Sequence, residues 1–157
     1  LFSLYELMDA KKNYQKACIG IVKKRVEATL EGLGIDLPPN ELYDYYYGLI
    51  DLEFWARKYL GEDVVTWMKE NVHPLDFVFR LAEDHGIVLL NGSGFEAPNW
   101  SVRVSFANLN DHVYDDIGRA VRAVARSYRQ AYEASKGKAA AGKAPKAKPE
   151  AKPRGRK

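Results

Sequence analysis

Cysteine is nearly missing from this 157-residue sequence: Cys18 stands alone, which excludes an internal disulfide and a thiolate metal cluster. The three histidines, His73, His85 and His112, lack the paired spacing of a metal-binding motif. Long apolar runs are missing too. None approaches the roughly 18 residues that a membrane-spanning helix needs, so no membrane partner is expected. The stretch from Leu1 to Met8 has neither the basic start nor the small-residue cleavage site of a secretory leader. With Leu rather than Met at position 1, the sequence reads as a piece of a longer chain, and the cytoplasm is the expected location. Nucleophile elbows of the GxSxG kind and phosphate loops of the GxxxxGK(S/T) kind are absent. A GxGxxG dinucleotide loop also fails, because Ala97 stands where Gly92 and Gly94 call for a third glycine. These residues alone hold no complete active site.

What is present suits one globular domain with a sizeable core: 46% of residues are hydrophobic and 12% aromatic. The charge is unevenly spread. Of the 24 Lys and Arg, nine fall in residues 135–157 beside one Glu, leaving 15 basic against 20 acidic side chains in residues 1–134. The net charge of +3 therefore divides into a mildly acidic body, 1–134, and a basic Lys/Ala/Pro tail, 135–157. The tail has no large apolar side chain to offset the entropy of ordering and is expected to be disordered.

Within the body, Ala10–Leu33 reads as an amphipathic helix. Tyr14, Cys18, Ile21, Val22, Val26, Thr29, Leu30 and Leu33 recur at steps of three and four and predict one buried stripe, Cys18 included. Gly32 and Gly34 read as stop signals. Leu42–Leu52 is rich in strand-favouring aromatics, with Gly48 as a candidate bulge. Its three consecutive tyrosines read as a strand packed on both sides; the other reading is a stacking platform for nucleic-acid bases. Glu53–Leu60 and Asp63–Asn71 read as short helices around Gly61. Pro74–His85 reads as another, with Leu75, Val78, Phe79 and Ala82 inward, Gly86 as its stop and His85 at the negative end of its dipole. A last helix, capped by Asn110 or Asp111, is expected to run to about Tyr132 and to bury Val113, Ile117, Val121, Val124, Tyr128 and Ala131. Arg119, Arg122, Arg126 and Arg129 share one face of it, read as a solvated back rather than a phosphate-binding stripe.

The stretch from Ile87 to Asn110 carries the functional promise. Ile87–Leu90 reads as a buried strand and Asn91-Gly92-Ser93-Gly94 as the turn that ends it. In Trp100–Ala107 the residues alternate strictly. Trp100, Val102, Val104 and Phe106 form a bulky apolar face, and Ser101, Arg103, Ser105 and Ala107 form the other. Two readings of Arg103 stand side by side. From the alternation alone it is an ordinary solvent-facing Arg on a half-exposed strand. Alternatively its small neighbours leave room for a planar ligand group, and the strand aims a guanidinium into a cleft.

The order of apolar strand, Gly-rich turn with Phe, loop, Arg-bearing strand and long closing helix resembles the carboxy-terminal small domain of fold-type I pyridoxal-phosphate enzymes, the class I and II aminotransferases among them. GIVLLNGSGFEAPNWSVRVSFANLND, with LFSLYELMD, the Tyr-rich strand and DLEFWARKYLGED, is more similar to the bifunctional aspartate aminotransferase/aspartate 4-decarboxylases. Ordinary aminotransferases are usually shorter between the first helix and the Gly-rich turn. The resemblance implies an α/β small domain (of α+β type), with a small mixed sheet packed against long helices. It implies pyridoxal 5'-phosphate as cofactor, L-aspartate as substrate, loss of the β-carboxylate as CO2 to give L-alanine, accompanying transamination, and a homo-oligomeric intact enzyme. It further implies that Arg103 grips the substrate α-carboxylate. No catalytic residue is expected in this chain. The Schiff-base lysine and most cofactor contacts would belong to a large domain upstream, and the basic tail lies outside the family pattern.

Two alternatives remain at this level: a plain class I/II aminotransferase of another amino acid, and a non-enzymatic adaptor that binds nucleic acid through its basic tail. The tail attracts nucleic acid by charge alone. Filter binding across a salt series is therefore expected to lose all affinity near physiological salt; affinity that persists there would favour the adaptor.

Overall fold

The computed structural model describes residues 3–6, 12–36, 43 and 45–141. A helical turn at 3–6 is followed by α1 (Lys12–Leu33), β1 (Tyr47–Asp51), α2 (Leu52–Tyr59), α3 (Glu62–Asn71), α4 (Asp76–His85), β2 (Leu90–Asn91), a 3-10 turn (Gly92–Phe95), β3 (Ser101–Ser105) and α5 (Val113–Ala141). The sheet has the order β1-β3-β2. This is the expected helix-and-sheet class, but both pairings are antiparallel, so the sheet is not mixed in direction.

The core lies between the inner face of the sheet and α5. Trp100, Val102, Val104 and Phe106 are all buried, as strict alternation predicts. They meet Tyr114, Ile117, Ala120, Val121, Val124, Ala125 and Tyr128 of α5. Val113 is only partly covered and Ala131 is exposed. The helix outruns its expected end near Tyr132 and continues to Ala141, past the 134/135 boundary; the rest of the tail, 142–157, lies outside the described residues.

The long helices α1 and α5 pack along one another in the same direction. Arg25 meets Asp111, and Gly34 lies beside Arg122. Their backbones touch: a Cβ on Gly118 would stand 2.1 Å from the Thr29 carbonyl oxygen, and one on Gly32 2.5 Å from that of Asp115. Gly32 is therefore a packing residue inside the helix rather than a stop. Gly34 supplies the stop, with φ +74° and hydrogen bonds from Gly34 N to Glu31 O and from Ile35 N to Leu30 O. Because the two helices run parallel, the first half of α1 projects beyond the start of α5. Thr29 and Leu33 are buried, and Val22, Val26 and Leu30 are partly covered. Tyr14, Cys18 and Ile21 are exposed, so the thiol expected to be buried faces outward.

Three further expectations shift in detail. The strand expected over Leu42–Leu52 is confined to Tyr47–Asp51. Tyr45 takes a left-handed φ of 58°, and Asp51 caps α2 by accepting from Phe54 N at 2.9 Å. Leu42 and Asp44 lie outside the described residues. Gly48 forms no bulge, since it pairs in register with Val104; a Cβ there would stand 2.7 Å from the Phe106 ring. The strand expected at Ile87–Leu90 shrinks to Leu90–Asn91, because Ile87 N bonds back to Leu81 O and completes the end of α4 at Gly86 (φ 65°). That helix starts at Asp76 rather than Pro74 and is rotated: Phe77 and Leu81 are buried, Val78 and Ala82 partly so, and Leu75 and Phe79 exposed.

Polar contacts fix how the outer helices sit. Tyr128 Oη donates to Asp76 Oδ2 at 2.8 Å, and Arg80 Nε donates to the same oxygen at 2.9 Å, which ties α4 to α5. Burial, reinforced by Asp76, pushes the Tyr128 phenol well above its ordinary range, so it remains a donor. Glu53 joins Arg57 and Lys69 between α2 and α3. Burial works to raise its pKa, but the hydrogen bonds and charges of those two cations outweigh it and leave the carboxyl below its ordinary value.

Replacing Gly118 by Ala is expected to destabilise the domain by about 1–3 kcal/mol or more, because the methyl meets backbone that has to move. Denaturant unfolding of Gly118→Ala beside Gly137→Ala, where an added Cβ meets nothing within 4 Å, checks this. Equal midpoints would contradict the close crossing.

Candidate functional site

β3 is the central strand, so its middle residue, Arg103, is flanked on both sides. Leu49 of β1 and Leu90 of β2 are its partners across the ladders. Val102 and Val104 point into the core and force Arg103 onto the opposite face of the sheet. That face is open: Tyr47, Leu49, Leu90 and Phe95 are each close to half exposed.

On it the guanidinium is held by two rings. Its central carbon lies 3.8 Å from the ring centroid of Tyr47 and 4.3 Å from that of Phe95, both within cation–π range. No carboxylate pairs with Arg103 among the described residues. The side chain is partly buried and borders a cleft of about 440 Å³ with Tyr47, Val88, Leu90, Ser105, Asn108 and Leu109. The Ser105 hydroxyl is sealed from water and lacks a hydrogen-bond partner among the described residues. An unpaired cation thus borders the cleft, and two residues along the same strand face lies a hydroxyl that water does not reach. Arg103 lies on the open face of a half-exposed strand, as the alternation suggests, and is partly buried there beside the two rings.

The Gly-rich turn brings Phe95 into place. Asn91 Oδ1 accepts from Ser93 N at 2.8 Å and from Ser93 Oγ at 2.5 Å, and Ala97 N closes the turn on Gly92 O at 3.1 Å. Glu96 ends it in the left-handed conformation, φ 57°. Gly92 is required by proximity, since a Cβ there would stand 1.9 Å from Ser101 Oγ. Ser101 is fully buried beneath the turn and donates to Pro98 O at 2.6 Å, so it takes no part in the cleft. Behind the strand, Tyr114 Oη donates to Ser105 O and accepts from Leu109 N, both at 3.1 Å. Arg25 donates to Phe106 O at 2.9 Å and to Asp111 at 2.6 Å. The end of the Arg103 strand is therefore anchored to both long helices.

A guanidinium in this setting offers parallel N–H donors that match the two oxygens of a carboxylate and keeps its charge at any working pH. Sequence reasoning found Arg103 and the space beside it but not the rings. Tyr47 was expected in a strand packed on both faces, whereas it is 45% exposed and stacked on the cation. Ser105 is the small neighbour that the alternation predicts, with its hydroxyl sealed from water. The turn's Phe95 was visible in the sequence without a reason to face Arg103. The histidines play no part in this cleft; His85 is exposed in the last turn of α4.

No protein-family profile matches the chain. It is similar to a bifunctional aspartate aminotransferase and L-aspartate beta-decarboxylase from a Pseudomonas species, with 37% identity over 134 residues. The match takes in 85% of this chain and 25% of the relative, so the chain spans about a quarter of the length of the curated relative it matches. The resemblance read from the residues is thus borne out.

Gly92→Ala is expected to destabilise the protein by about 1–3 kcal/mol and to pull Phe95 away from Arg103. Thermal unfolding together with nuclear magnetic resonance shifts of the Phe95 ring checks both effects; unchanged ring shifts would mean that the turn does not set the ring's position.

Proposed function

We propose that this chain is the substrate-gripping small domain of a pyridoxal-phosphate enzyme that removes the β-carboxylate of L-aspartate to give L-alanine and CO2, with accompanying transamination. The observation that carries the reading is Arg103, a guanidinium stacked on two rings in a cleft and left without a carboxylate partner among the described residues. In this reading Arg103 takes the α-carboxylate in a two-pronged hydrogen-bonded pair. The similarity to a bifunctional aspartate enzyme supports aspartate as the amino acid held. Fixing the carboxyl end at a stacked cation orients the rest of the substrate, which is the contribution a positioning group makes to rate.

The cofactor does not fit within this chain. The cleft at Arg103 has no lysine in its lining to bond covalently to pyridoxal phosphate and no acid to face its ring nitrogen. The cofactor when bound supplies an electron sink; the residues that hold it are expected in protein outside this chain, as is the Schiff-base lysine. The chain's own part is to bind, orient and cover. Among the described residues no helix is long and apolar enough to cross a membrane. The reading places the intact protein in the cytoplasm as a homo-oligomer.

In the intact enzyme, Arg103→Ala is expected to raise KM for aspartate and lower kcat, with kcat/KM falling by about two orders of magnitude, the range for truncating one partner of a charge pair. Arg103→Lys should recover only part, since the ammonium lacks the fork. Steady-state assays that leave both variants at the parent value would remove the assignment. Product analysis separates decarboxylase from plain aminotransferase: alanine and CO2 are expected from aspartate, and transamination without CO2 would favour the second.

A further inference from the structure

A second cleft, away from Arg103, lies where α2, the end of α1 and the back of α5 meet. It measures about 480 Å³. One wall is aromatic: Tyr59, 38% exposed with Lys58 Nζ 5.2 Å from its ring centroid, is backed by the buried Trp55, the two rings 5.1 Å apart. The facing wall is cationic, lined by Arg122, Arg126 and Arg129 of α5. Glu133 neutralises Arg129 at 2.9 Å. Arg122 and Arg126, one turn apart, have no carboxylate partner among the described residues, although like charges at that spacing repel. The indole N–H of Trp55 is sealed from water and has no acceptor among the described residues, in a residue only 3% exposed. Arg122 also lies against Gly34 at the end of α1, where free helix carbonyls favour a cation. That accounts for Arg122 but leaves Arg126 without a role.

The geometry points to a binding site for a small aromatic oxyanion, its flat body against Tyr59, which Trp55 backs, and its carboxylate or phosphate between Arg122 and Arg126. Aromatic faces supply area and orientation, and guanidinium groups fix the planar or tetrahedral oxyanion. This site shares no lining residue with the Arg103 cleft and does not depend on the activity assigned to it.

The test is isothermal titration of the intact protein in an Arg103→Ala background, so that the sheet-face cleft does not take the anion. The probes are phenyl phosphate, benzoate and inorganic phosphate. Saturable binding is expected for phenyl phosphate or benzoate, about tenfold or more tighter than for inorganic phosphate, and the tighter of the two names the oxyanion. Arg122→Gln with Arg126→Gln should weaken it by about tenfold or more, and Trp55→Phe by several-fold, with melting curves confirming that the variants fold. Absence of saturable heat with both aromatic probes, equal affinity for inorganic phosphate, or affinity untouched in the double Gln variant overturns the site. An aspartate-handling defect caused by Arg103→Ala alone bears on the proposed enzyme activity and leaves this result unaffected.

Discussion

The architecture depends on two helices approaching until their backbones touch. Gly32 and Gly118 lie where α1 and α5 cross, and any side chain larger than hydrogen at either would overlap main-chain atoms of the other helix. That contact fixes the height of α5 beneath the sheet. Tyr114, Ile117, Val121 and Val124 then meet Val102 and Val104, and the central strand has a firm floor. Arg25 adds a brace from α1 to the carbonyl of Phe106 and to Asp111, with its guanidinium carbon 5.4 Å from the Tyr114 ring centroid. Position at the sheet face is thus inherited from the helix crossing.

The site built on this floor is small and mostly apolar. One charged group stands among Tyr47, Leu49, Leu90 and Phe95, and the rings limit the rotamers it samples. The glycine-rich turn contributes shape rather than chemistry: Gly92 lets the chain pass over Ser101, and the turn delivers one aromatic ring. The division of labour matches a chain that spans a quarter of its relative. In the function proposed for it, the chain would grip and cover, with the remaining chemistry supplied by other protein.

Legibility from sequence followed the range of the forces involved. The alternation in Trp100–Ala107 needed only the pleat of one strand, and all four apolar residues are buried. Gly86 as the end of α4 needed only local backbone freedom. The first half of α1 has an equally good apolar stripe, yet Tyr14, Cys18 and Ile21 are exposed, because burial depends on what another element covers. Strand direction and register were also out of reach. Pairing Tyr47 with Ser105 joins segments far apart in the chain, so neither the ring over Arg103 nor the stranded hydroxyl could be read from neighbours in sequence. The phase of α4 failed for a related reason: Phe77 and Phe79 are equally apolar, and only the packing against Tyr128 selects Phe77.

The openness of the sheet face has a consequence for timing. An anion that meets Arg103 while water still reaches the contact gains only about 1 kcal/mol from the charge, whereas at the lower effective dielectric of a covered protein surface the same separation gives about 4 kcal/mol. The difference is more than a hundredfold in residence, and it turns on solvent access rather than on the guanidinium itself. A cation on so open a face therefore holds an anion weakly unless further protein covers it.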